Sequence, residues 1–129
     1  MADSEKHLEL VDQVLRLNQT GKIKLTTSTF VLSEFVYTQQ SYYEVPRKEV
    51  VENLEAITQI KNIVILDRTN FQQAFKLFKL KKNKKWSDCV IAAQVPENYK
   101  LCSFDQDLAK VIGKKRFLTP AEAVREMSV

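Results

Sequence analysis

"NIVILDRTNFQQAFKLFKL" (residues 62–80) changes its hydrophobic period half-way, and that change decides the fold class. Ile63, Val64, Ile65 and Leu66 form a short continuous apolar run, the pattern of a strand buried on both faces. From Asn70 the spacing becomes helical, through Phe71, Ala74, Phe75 and Phe78. A buried strand feeding an amphipathic helix is the repeating unit of an α/β layer fold.

The same alternation extends in both directions. Upstream, "SEKHLELVDQVLRLNQTG" (4–21) reads as a helix with Ser4 as cap, Leu8, Val11, Val14 and Leu15 at helical spacing, and Gly21 as its end. "KIKLTTS" (22–28) predicts a strand from about Ile23 to Thr27. "STFVLSEFVYTQQSYY" (28–43) returns to helical spacing. A further helix begins at Pro46, with Val50, Leu54, Ile57 and Ile60 as its stripe. Downstream, a small-residue helix from Ser87 to about Val95 stops near Pro96. "YKLCSF" (99–104) predicts a strand, "DQDLAKVIG" (105–113) a helical turn, "RFLT" (116–119) a last strand and "PAEAVREM" (120–127) a closing helix. One domain over residues 1–129, with a mostly parallel central sheet, is the expected architecture.

Composition narrows the chemistry. Of 129 residues, only two are glycine and three proline, which favours long regular elements over tight hairpins. The net charge of +4 suits a nucleic-acid or acidic protein partner without choosing between them. Apolar runs are too short to cross a bilayer, so no membrane association and a cytoplasmic location are expected. Cys89 and Cys102, both flanked by apolar residues, read as buried free thiols. His7 is the sole histidine, which excludes histidine-based zinc sites and Ser–His triads. Catalysis in this chain must use carboxylates, lysines or hydroxyls.

In open parallel α/β sheets, sites form beyond the carboxyl ends of strands, and that rule selects four acids. Glu34 lies in the opening turns of the helix after the first visible strand, among Phe30, Val31 and Tyr37. A glutamate at the edge of the stripe reaching solvent would have the same pattern. Asp88 sits at the start of a helix, where helix capping explains it as well as a site does. Asp105 and Asp107 follow the strand ending at Phe104 and could equally cap the turn that follows. Taken together, they would bring carboxylates from three segments to one sheet edge. Such a cluster suits metal-assisted phosphodiester hydrolysis, because Mg²⁺ and Mn²⁺ prefer oxygen ligands and need no histidine.

At these residues the chain resembles the PIN domains, most closely the VapC-like toxins of toxin–antitoxin pairs. "GKIKLTTSTFVLSEFVYTQQSYYEVPRKEVVENLEAI" (21–57) is similar to the family's second strand, the helix bearing its second acid, and the helix after it. "WSDCVIAA" (86–93) resembles the segment with the third acid, and "KLCSFDQDL" (100–108) the strand and turn with the fourth. The resemblance implies a three-layer fold and an endoribonuclease using Mg²⁺ or Mn²⁺. It implies Glu34, Asp88 and Asp105 as catalytic metal-site acids, Asp107 as an additional metal ligand and Ser103 as a polar neighbour. It also implies an RNA substrate, a cognate antitoxin and a homodimer. Tyr37, Tyr42 and Tyr43 independently suggest self-association, because they exceed what a small core needs.

One departure accompanies the resemblance. PIN domains open with an apolar strand ending in aspartate, which lies centrally in the sheet order 3-2-1-4-5; here "MADSEKHLEL" (1–10) already reads as the helix after it. A chain truncated at its N-terminus relative to the family is the expectation. The strands near Ile23 and Leu101 would then lack the element between them. The alternative is a catalytically inactive PIN-like module that binds RNA or protein.

"KLKKNKKW" (79–86) places a lysine cluster directly before Asp88. A solvated loop is one reading. Beside an acidic metal site, Lys82, Lys84 and Lys85 would hold RNA phosphates, with Trp86 available for base stacking.

Overall fold

The computed structural model describes residues 2–80 and 84–127, with side chains from residue 6 onward. The chain divides into two compact units, Met1–Ile23 with Thr69–Val129, and Lys24–Arg68. The element order is α1 (Ala2–Gln19), β1 (Thr26–Thr27), α2 (Thr29–Tyr37), α3 (Arg47–Thr58), β2 (Val64–Ile65), α4 (Phe71–Leu80), α5 (Trp86–Ala93), β3 (Leu101–Cys102), α6 (Asp107–Ile112), β4 (Phe117–Leu118) and α7 (Pro120–Met127). The architecture is mixed α/β and mostly helical.

All strand pairing among the described residues is parallel. β1 pairs with β2, Thr26 opposite Val64 and Thr27 opposite Ile65. β3 pairs with β4, Leu101 opposite Phe117 and Cys102 opposite Leu118. The described residues thus form two separate two-stranded sheets, where one central sheet is expected. The strands are also shorter than their apolar runs, since regular pairing holds only where a partner strand lies alongside. Val64 and Ile65 correct the expectation of a strand buried on both faces: they are 36% and 40% exposed.

Within the 24–68 unit, Ser28 caps α2, its hydroxyl accepting from the Val31 N–H at 3.1 Å. Asp67, just past β2, accepts from both the Thr29 N–H (2.6 Å) and the Thr29 hydroxyl (2.7 Å). A backbone N–H and a hydroxyl at the start of α2 are thereby tied to the end of β2. A π-helical turn, Thr38–Tyr42, continues α2. Pro46 stands one position earlier than expected, as the N-cap of α3.

The core of the larger unit lies where α4, α5 and α6 meet. Cys89, Ala92 and Val111 are buried together, with Leu77 and Ile112 packed against them. Small side chains on α5 (Cys89, Ala92, Ala93) allow this close approach. The buried residue of α4 is Ala74, while Phe71, Phe75 and Phe78 are exposed. That corrects the sequence reading, in which the phenylalanines share the core stripe. Leu8 and Val11 are likewise exposed; of the expected stripe α1 buries Val14, together with Leu17 and Asn18. Cys102 is exposed, and Cys89 alone of the two thiols is buried. Gly113 ends α6 at φ 99°, a conformation that strains any other residue. Among the described residues no helix is long and apolar enough to cross a membrane.

Candidate functional site

Asp88 is the third residue of α5. The N-cap position is Lys85, in extended conformation and without a side-chain cap bond. Asp88 is half-buried and its carboxyl is held above the ordinary carboxylate value. Desolvation is the largest cause, and the negative charge of Asp105 adds to it; Lys85 and Lys84 oppose the shift, and Asp107 contributes a smaller increase. Capping alone would give the opposite sign, because a hydrogen bond to the ionised form favours it.

Asp105 and Asp107 sit just beyond the carboxyl end of β3. The Asp105 N–H donates to the Ser103 hydroxyl at 3.0 Å, and Asp105 Oδ1 accepts from the Asp107 N–H at 2.9 Å. Asp105 therefore organises the start of α6 through Oδ1. Asp107 forms an exposed ion pair with Lys110 at 3.4 Å. Ser103 shapes the turn through its bond from the Asp105 N–H. The ring of His7 stacks on Phe104 at 4.0 Å, so α1 braces the same turn.

The charge of Asp105 acts on Asp88, and that of Asp107 acts on it more weakly. Glu34 is exposed on α2 of the other unit. Among the described residues no three His, Cys, Asp or Glu side chains gather as a metal-holding group. Two carboxylates with water are nevertheless an ordinary donor set for Mg²⁺. Lys84 is half-buried and Lys85 exposed beside them, while Lys82 lies outside the described residues. Trp86 stacks on Phe75 at 5.9 Å and meets Phe78 at 5.5 Å and 68°, so part of its ring surface is already covered.

Two acids absent from the sequence reading matter locally. Asp67 is held below the ordinary carboxylate value by its bonds from Thr29. Glu122 and Thr119 form a reciprocal cap at the start of α7: the Thr119 N–H donates to Glu122 at 3.0 Å, and the Glu122 N–H to the Thr119 hydroxyl at 3.2 Å. The spacing of Thr119 and Glu122 around Pro120 could have revealed the second; nothing local reveals the first. No protein-family model, curated protein or solved structure matches this chain.

Proposed function

We propose that the chain is a PIN-like, metal-dependent endoribonuclease, the toxin of a toxin–antitoxin pair. The observation that carries this reading is Asp88, half-buried in the first turn of α5, whose carboxyl pKa is raised by burial and then by the charge of Asp105 beyond the carboxyl end of β3. A divalent cation relieves such a pair, which is why clustered carboxylates that repel each other suit metal binding. Strand pairing lends support. The pairs β1–β2 and β3–β4 correspond to the pairs 2–3 and 4–5 of the PIN order once its first strand is set aside.

In this proposal Asp88 and Asp105 hold Mg²⁺ or Mn²⁺, and Asp107 adds negative charge from the neighbouring turn. The share of Glu34 rests on the resemblance alone. When bound, the cation lowers the pKa of a ligated water and offsets charge on the scissile phosphate. Lys84 and Lys85 hold flanking RNA phosphates. A second copy of the chain associates through Tyr37, Tyr42 and Tyr43, which are 68%, 79% and 67% exposed.

A second reading, an inactive RNA- or protein-binding module, is favoured by one observation: Asp105 and Asp107 are both engaged in local contacts. Cleavage of single-stranded RNA with and without Mg²⁺ or Mn²⁺ separates the two. The nuclease reading expects cleavage that requires metal and falls at least about 100-fold in Asp88→Asn and Asp105→Asn. Binding of RNA without cleavage under any metal condition selects the second reading.

A further inference from the structure

α4 carries two apolar stripes, and only one of them is used within its unit. Ala74 is buried and Leu77 packs on the core formed with α5 and α6. Phe71, Phe75 and Phe78 lie on an adjacent face at i, i+4, i+7 spacing and are 58%, 53% and 48% exposed. Trp86 extends the stripe across to α5. Phe71 to Phe78 spans about 10 Å of helix, two turns. Contiguous exposed aromatic surface is a frequent mark of interaction sites.

The chemistry around the stripe selects its occupant. Lys76 and Lys79 follow on the flank away from Ala74 and Leu77, and among the described residues neither makes an ion pair. A second copy docking the same face would set these lysines against their own counterparts, which disfavours a symmetric pairing. Single-stranded RNA stacks on free ring faces, whereas Phe75 and Trp86 are stacked on one another. Aromatic rings at helical spacing beside these lysines fit an apolar-faced helix with an acidic border.

We infer that the Phe71–Phe75–Phe78–Trp86 surface docks an acidic amphipathic helix of a partner protein. This site uses none of the carboxylates of the nuclease reading and stands or falls separately from it. Trp86 is the only tryptophan, so its fluorescence reports on this surface alone. The test titrates the intact protein with a peptide of about 15 residues carrying Leu and Phe on one helical face and Glu on the other, a length at which isolated helices begin to hold. A saturable blue shift of Trp86 is expected, and a lysine-for-glutamate version of the peptide should bind at least about tenfold more weakly. The double variant Lys76→Glu, Lys79→Glu leaves the rings in place and should reverse that preference. Phe75→Ser, at an exposed position, should abolish the shift with unchanged far-ultraviolet circular dichroism. Equal binding of both peptides, or a shift produced by oligouridylate, by anionic vesicles or by raising protein concentration while the acidic peptide gives none, would overturn the inference.

Discussion

Burial and, after it, the charge of Asp105 in the turn after β3 raise the pKa of Asp88 in the first turn of α5. The two segments meet because α5 packs closely on α6 through Cys89, Ala92 and Val111, which fixes the start of each helix relative to the other. Asp67 and Glu122, which accept hydrogen bonds from Thr29 and Thr119, are lowered instead. Asp88 shifts the other way.

The sign of that shift sets a pH dependence. With its folded pKa raised, Asp88 contributes stability that is complete below the ordinary carboxylate value and is lost as pH rises through its folded value. Asp88→Asn is expected to remove this loss and to melt slightly higher than the natural protein at neutral pH. Asp105→Asn should remove only the charge-dependent part. Thermal melts from about pH 3 to about pH 7, the range that brackets carboxylate titration, check both.

Asp67 carries the opposite sign. Its bonds from Thr29 give stability that is present above the ordinary carboxylate value and lost as pH falls through the depressed one. Asp67→Ala should lower the melting temperature at neutral pH, with the difference vanishing in acid. Ser28→Ala, which removes the α2 cap, should cost about 0.5–2 kcal/mol at any pH. Parallel melts of the two variants distinguish the titrating contact from the neutral one.

The packing that positions Asp105 is sensitive to volume. Leu108, buried in α6, holds the first turn after Asp107, and Leu108→Ala should cost about 2–5 kcal/mol. Ala92 has no exposed surface, and Ala92→Leu should cost about 1–3 kcal/mol by forcing α5 away from its neighbours. Urea denaturation of each variant measures the loss.

Self-association is expected to depend on the tyrosines. Sedimentation equilibrium should show a concentration-dependent dimer that Tyr42→Ser with Tyr43→Ser removes. A monomer at every concentration in the natural protein would contradict the proposed homodimer.

The order of helices and strands was legible because hydrophobic period is a local property, and the switch within residues 62–80 marks β2 and α4 correctly in kind. Burial was less legible. Period identifies a helix such as α4 without saying which of two adjacent apolar stripes meets the core; the small Ala74 went in and the large phenylalanines stayed out. Strand length depends on partners remote in sequence, so the run from Ile63 to Leu66 yields only two paired residues. The Asp67–Thr29 contact joins positions 38 apart, which no local spacing can announce. At the candidate site, sequence supplied the acids. It could not decide between capping and chemistry, because that choice rests on desolvation and on which carboxylates become neighbours. The structure gives Asp105 a hydrogen-bonding role at the start of α6 and sets Asp88, in the first turn of α5, in surroundings that raise its carboxyl pKa.

The central claim is that Asp88 and Asp105 share a divalent cation, and Mn²⁺ titration followed by NMR tests it most directly, since the paramagnetic ion broadens only nearby resonances. Signals of Asp88, Asp105 and their immediate neighbours should broaden first at low Mn²⁺, recover with excess Mg²⁺, and resist broadening in Asp88→Asn. Uniform broadening over all surface acids, or none at Asp88 and Asp105 while other carboxylates respond, would contradict it.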